Sequence, residues 1–239
     1  MSVKPNLLDR AVGWVSPAAG VKRLRNRAAV EVLTRGYNAA SRSRLNSSWR
    51  THSTSANDEI GTAGTLLRDR MRDLVRNNPH AANALSVLVT HSIGEGIVPR
   101  TRDAAVNKLF DEWSKQCDAS GNSDFYGIQS LAAREMFESG DGLVRRRRRF
   151  SSDGLAVPLQ IEVIETDLID SAKNGELDGG NNAIQGIEFN GIGRRTAYWM
   201  FAQHPGSAIY DIRKSSTSKP IPADDIAHLY EKQRTQVCH

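Results

Sequence analysis

Two cysteines in 239 residues, Cys117 and Cys238, are too few and too far apart for a disulfide framework, and no CxxC pair offers a zinc site. No apolar run approaches the roughly 18 residues that would span a membrane. The stretch Met1 to Arg10 carries no hydrophobic core of a signal peptide. The expectation is a protein made and used in a cytoplasm, with no membrane partner. The GxSxG, Walker A and Rossmann glycine patterns are missing, and His52, His80, His91, His204, His228 and His239 form no i,i+4 ligand pair. These absences remove the commonest catalytic frameworks. No catalytic, cofactor-binding or metal-ligating residue is expected, and no cofactor. Aromatics are scarce at 6% while charge reaches 25%, so the surface is broad and polar.

The excess positive charge lies in an N-terminal arm. Residues 1–50 hold ten Lys or Arg against Asp9 and Glu31, a net +8, whereas the whole chain carries only +5 and the remaining residues therefore carry −3. A basic arm of this kind binds a polyanion or docks on an acidic neighbour. The spacing of Val21, Leu24, Ala28 and Val32 predicts a basic helix over Val21–Ala40. The Ser/Arg-rich stretch 41–57, with Trp49 as its lone aromatic, reads as a flexible linker or as a segment that orders only against a partner. The division is into a basic, partly disordered arm and linker over 1–56 and an α+β body over 57–239.

In the body, helical spacing comes first. Leu67, Met71, Leu74 and Val75 mark one helix face. Asn78-Pro79 reads as a cap followed by proline at the first helical position. Ala81, Ala84, Leu85, Leu88 and Val89 mark the next helix, ending near Gly94. Val106, Leu109, Phe110 and Trp113 mark a third. Ile128, Leu131, Ala132 and Met136, after Asp124 as cap, mark a fourth. Beyond Gly140 the period changes. Leu155 to Val163 alternate as a strand does, a second hairpin pairs Ile184–Phe189 with Thr196–Phe201, and Ile226–Tyr230 is a last strand. Helices first and hairpins later make the class α+β with antiparallel pairing.

The most unusual feature is Arg145-Arg146-Arg147-Arg148-Arg149. A strand sends alternate side chains to opposite faces, so these arginines exclude a strand buried on both sides and predict an edge. A two-residue turn at Asp153-Gly154 sets Arg145 opposite Glu162, Arg147 opposite Gln160, Val144 opposite Val163 and Phe150 opposite Val157. Arg145, Arg147 and Arg149 then share one face. Arg146 and Arg148 share the other with Leu159 and Ile161, their stems packed at a core rim. The candidate DNA or subunit contacts are Arg23, Arg25, Arg27, Arg42, Arg44, Arg50, Arg145, Arg147 and Arg149. Against them stands an acidic group, Glu162, Glu165, Asp167 and Asp170. It reads first as surface charge or as pairing with the arginine strand, and second as the metal site of a DNA-processing nuclease; a general nucleic-acid-binding module acting through residues 1–50 is a further alternative.

Several segments occur in order along the chain: Leu8-Asp9-Arg10-Ala11-Val12-Gly13; Tyr37 to Ser41 with Trp49-Arg50; Leu66 to Pro79 (LLRDRMRDLVRNNP) continuing to Gly94-Glu95-Gly96-Ile97; Asp124-Phe125-Tyr126 with Glu138 to Gly142; Val157-Pro158-Leu159-Gln160 through Asp167; and Gln185 to Phe189, then Gly193 to Tyr198, His204-Pro205-Gly206 and His228-Leu229-Tyr230. Together they resemble the lambda-type family of tailed-phage portal proteins. The resemblance implies a non-enzymatic subunit of a homo-oligomeric, typically dodecameric ring at one capsid vertex of the virion, assembled in the bacterial host cytoplasm from a phage or prophage gene. Its implied partners are double-stranded viral DNA, the terminase large subunit, the major capsid or scaffold protein, and a head–tail joining protein. Family members are roughly twice this long. The chain ends at Gln236-Val237-Cys238-His239, so the resemblance covers the arm and the wing region, with stem, clip and crown missing.

Overall fold

The computed structural model describes residues 6–34, 53–207, 217–232 and 234. It divides into two units, Met1–Ser53 and Thr54–His239. The candidates Arg42, Arg44 and Arg50, most of the 41–57 linker, and Cys238 lie outside the described residues.

In the first unit, Asn6 opens α1 (Leu7–Val15) with a capping box. Its side chain accepts from the Asp9 amide at 2.8 Å, and Asp9 accepts from the Asn6 amide at 2.9 Å. Pro17 then starts α2 (Pro17–Thr34), earlier than the apolar spacing suggests, because proline fits a first helical position. The helices approach so closely that a side chain on Gly20 would meet the Gly13 Cα at 2.7 Å.

The second unit opens with helices, as the sequence predicts. They are α3 (Ala56–Asn77), α4 (Pro79–Ile93), α5 (Ala104–Ser114) and α6 (Phe125–Ser139). Asn78 ends α3 and caps α4, its side chain accepting from the His80 amide at 2.9 Å with Pro79 behind it. Asp124 caps α6 by accepting from the Gly127 amide. The strands are β1 (Asp141–Arg148), β2 (Leu159–Ile164), β3 (Gly175–Glu176), β4 (Asn182–Ile184), β5 (Ile187–Phe189), β6 (Arg195–Phe201), β7 (Ser218–Pro222) and β8 (Ile226–Tyr230). They form two antiparallel sheets, β2-β1-β8 and β3-β4-β5-β6-β7.

The core lies between the sheets. Leu143 and Ile164 from the first meet Ile187, Tyr198 and Met200 from the second, with Ile169 on the connection. Successive β1 side chains alternate, so Leu143 faces this core while Gly142 lies against Glu135 and Met136 of α6. Helix α5 reaches the sheet through Trp113, whose indole N–H donates to the Leu159 carbonyl at 2.7 Å, inside a cluster with Phe110 and Phe125.

Four expectations are corrected. The β1–β2 connection is not a two-residue turn but residues 149–158, because the Asp153 carboxylate accepts from the Phe150 amide and folds Ser151–Asp153 into a short 3-10 turn. Strand β2 accordingly begins at Leu159, and Phe150 and Val157 lie beyond the ladder. Strand β1 is not an edge but the middle strand, since β8 returns to pair with Asp141–Arg145. Ile184 and Phe189 fall in separate strands, because Gln185 and Gly186 both take positive φ (49° and 80°) in a tight turn between them. The expected core face of α3 also turns outward. Val75 is buried, but Leu67, Met71 and Leu74 are exposed, because Arg68 and Arg72 take the side of the helix that faces the body.

Candidate functional site

The arginine strand holds the register that the sequence implies despite its longer loop. Arg145 stands opposite Glu162, Arg147 opposite Gln160 and Val144 opposite Val163, and the Arg149 amide extends the ladder to the Pro158 carbonyl. The clash between five arginines and a central strand is resolved by length. Strand β8 stops opposite Arg145, so Arg146 to Arg149 project beyond the three-stranded part.

On one face Arg147 pairs with Glu162 at 2.6 Å and Arg149 donates to the Gln160 side chain at 2.8 Å. On the other, Arg146 and Arg148 share Asp225, at 2.8 and 3.8 Å. The Arg145 side chain makes no ion pair or hydrogen bond among the described residues. Burial, followed by the adjacent Arg147 charge, lowers the pKa of its guanidinium, against the weaker pull of Glu162 and Asp225. The rim-packed stems predicted for Arg146 and Arg148 are not found. The Arg146 and Arg148 side chains are 41% and 76% exposed, against 35% for Arg147. Among the described residues, their ion-pair partner is Asp225, just ahead of β8.

In the arm, Asp9 is buried and takes both Arg23, at 2.9 Å, and Arg27. Two of the candidate contacts are thus engaged in joining α2 to α1, while Arg25 points to solvent. The candidates therefore differ in engagement, with Asp9 holding Arg23 and Arg27, in a way that residue counting cannot reveal.

The acidic group does not converge as a whole. Glu162 belongs to Arg147, and Asp170 accepts from the Ser218 hydroxyl at 2.6 Å. Asp167 accepts from Arg68 at 3.1 Å and Arg72 at 2.5 Å. Glu165 does approach His204, at 3.6 Å, and with Asp167 their ligand atoms lie within 4.8 Å of one another. The chemistry does not fit a cation. The His204 Nδ1 accepts from the Gly206 amide at 3.0 Å, which puts the neutral ring's proton on Nε2, toward Glu165. Asp167 is already neutralised by two arginines.

A polar network that sequence reading misses runs through the body. Arg72 bridges Asp167 and Glu135, Arg68 bridges Asp167 and Asp141 (3.5 Å), and His228 Nε2 lies 3.3 Å from Asp141. It continues through the Tyr198 hydroxyl, 3.4 Å from His228 Nδ1, to Arg195, which donates to both Tyr198 and Tyr230. Burial pushes the Asp167 carboxyl up, but Arg68 and Arg72 outweigh it and hold the group below its ordinary value. Asp141 behaves alike, burial being outweighed by His228, Arg68 and Thr166. At Glu135 burial prevails over Ser139 and Arg72, and the pKa rises. The i,i+4 spacing of Arg68 and Arg72 is the one trace in the sequence. It reads equally well as a solvated helix face.

With this geometry, comparison with known proteins is informative. The profile of the phage portal proteins of the lambda family matches residues 42–237. A relative described as a probable portal protein, from Halomonas phage phiHAP-1, is 28% identical over 220 residues, which cover 84% of this chain and 42% of the relative. The chain thus matches less than half the length of that protein.

Proposed function

The chain belongs to the lambda family of phage portal proteins, and from that premise we propose that it is a structural subunit of the homo-oligomeric ring at the capsid vertex. The carrying observation is a family match over residues 42–237, which spans the helices and both sheets of the body. The geometry adds that three of the four carboxylates a nuclease would draw on, Glu162, Asp167 and Asp170, are held by Arg147, by Arg68 and Arg72, and by Ser218. In this reading the protein is not an enzyme. It supports DNA packaging, DNA passage and ejection, and head–tail joining. Its partners are double-stranded viral DNA, the terminase large subunit, a major capsid or scaffold protein and a head–tail joining protein, within a dodecameric ring of the virion assembled in the host cytoplasm. The basic arm over 1–56 and the wing-like body over 57–239 form its two parts, and Arg25 and the arginine strand are its accessible cationic contacts.

Negative-stain imaging of the purified chain tests this. Rings with a central hole are expected. Divalent-metal-dependent cleavage of DNA by the same preparation would overturn the reading.

A further inference from the structure

Asparagine is followed by glycine twice in the chain, at Asn174-Gly175 and Asn190-Gly191. Such a pair is chemically special. The glycine nitrogen has no side chain beside it to block its approach, and it can close a five-membered ring on the preceding side-chain amide without any second molecule to be brought in. By residue type the two sites are equals. The fold makes them different.

At Asn174 both ends of the side-chain amide are tied. Its Nδ2 donates to the Ser171 and Ala172 carbonyls at 3.2 and 3.3 Å, and its Oδ1 accepts from the Gln185 amide at 2.8 Å. At Asn190, in the β5–β6 turn, only the oxygen is tied, and it is tied twice. Oδ1 accepts from the Ile192 amide at 3.2 Å and from the Arg194 amide at 2.9 Å. Main-chain bonds close the same turn, from the Asn190 amide to the Arg194 carbonyl and from the Gly193 amide to the Asn190 carbonyl. Among the described residues neither Asn190 Nδ2 nor the Gly191 amide has a hydrogen-bond partner, and Gly191 is exposed.

We propose that Asn190 is a site of self-modification, its side-chain amide hydrolysed through a cyclic imide formed with the Gly191 nitrogen. The Gly191 nitrogen gives its proton to hydroxide and bonds to Asn190 Cγ, and the carbonyl electron pair moves onto Oδ1. That charge develops where the Ile192 and Arg194 amides already point, a two-donor arrangement of the oxyanion-hole kind. The intermediate collapses, the Cγ–Nδ2 bond breaks, and Nδ2 takes a proton from water and leaves as ammonia. Water then opens the imide at either carbonyl. One opening gives aspartate and the other isoaspartate, so the net reaction consumes one water and releases one ammonia. At Asn174 a single amide faces the oxygen, and the leaving nitrogen must first be freed from two carbonyls. The product at position 190 adds a negative charge four residues before Arg194. The isoaspartate form also lengthens the main chain of the β5–β6 turn by one carbon.

The test is incubation of the full chain in mildly alkaline buffer, folded and, in parallel, unfolded in urea. Peptide mapping after cleavage at glutamates separates the two sites, because Glu176 and Glu188 lie between them. In an exposed turn such donors count for less than the roughly hundredfold of a water-excluded site, so folded Asn190 should convert about tenfold faster than folded Asn174. In urea the two rates should be alike. Conversion at Asn190 that is slower folded than unfolded would overturn the proposal, because the turn then protects. Equal rates at the two sites in the folded chain would do the same. Aspartate without isoaspartate would mean direct hydrolysis and remove the imide. Gly191→Ala meets open space and keeps the turn. It should slow conversion at Asn190 and leave Asn174 as it was, and an unchanged rate at Asn190 would exclude Gly191 as the nucleophile.

Discussion

Arg72 on α3 and Asp167 beyond β2 are 95 residues apart in sequence and 2.5 Å apart in space. Arg72 also reaches Glu135 of α6 at 3.0 Å, so one guanidinium joins a helix, the first sheet's exit and a second helix. Both side chains of the Asp167 pair are mostly covered. Removing one partner strands the other charge in a poorly hydrated place. Arg72→Ala should cost on the order of 3 kcal/mol by urea denaturation, the usual penalty for breaking a buried pair. A loss under about 0.5 kcal/mol would show that water reaches the site.

The pH dependence follows from the same carboxylates. Asp141 and Asp167 have folded-state values below the ordinary aspartate value of about 3.9. Their contribution is therefore complete above that value and is lost as the pH falls through the lower folded-state values. Glu135, raised by burial, works the other way and favours the folded state only when protonated. Denaturation midpoints should fall below about pH 4, and Asp167→Asn should flatten that fall. An unchanged slope in the variant would remove Asp167 from the linkage.

The arm makes a separable prediction. DNA binding through phosphate contacts should be sequence-independent, with a log–log salt slope near −0.9 per phosphate neutralised. Arg25→Gln should reduce that slope by about one such unit. Arg23→Gln should change it less, because Asp9 already holds that guanidinium. Equal changes at the two positions would mean that the Asp9 clasp opens when DNA binds.

Much of this arrangement was legible in the sequence. The helix caps at Asn78 and Asp124 are local chemistry, and the structure places both where the spacing does. The Arg145–Glu162 register survived a wrong turn because the loop grew by equal numbers on both sides of Asp153-Gly154, which loses the Phe150–Val157 pair but leaves the pairs within the ladder unchanged. What was not legible is long-range. Strand β8 arrives from the C-terminal end to make β1 central, and nothing near Arg145 announces it. The outward turn of Leu67, Met71 and Leu74 has the same origin, since the partners of Arg68 and Arg72 lie at Glu135, Asp141 and Asp167.

The correction at the arginine strand changes the expected mutational order. With the Arg147 side chain less exposed than Arg146 and paired to Glu162 at 2.6 Å, Arg147→Ala should cost at least as much as Arg146→Ala. Each should lie within about 1 kcal/mol, as exposed or half-exposed pairs do. Chemical denaturation of both variants checks the order. A clearly larger loss for Arg146 would restore the rim-packed reading of that side chain.

The turn between β4 and β5 gives the sharpest local test. Gly186 has φ near +80°, and a side chain there would meet Ile169 Cγ2 at 2.6 Å and the Asp170 carbonyl oxygen at 2.7 Å. Two penalties coincide, a backbone region that L-residues avoid and a collision with main chain that cannot move without disturbing the core residue Ile169. Gly191, in the neighbouring turn, has open space within 4 Å and no such φ. Gly186→Ala should therefore cost about 2 kcal/mol or more, and Gly191→Ala should be neutral or slightly stabilising through the unfolded chain. The two variants differ by the same methyl group in one sheet, so thermal unfolding of the pair isolates the backbone effect. Equal stabilities would mean that the Gln185-Gly186 turn does not hold this conformation in solution.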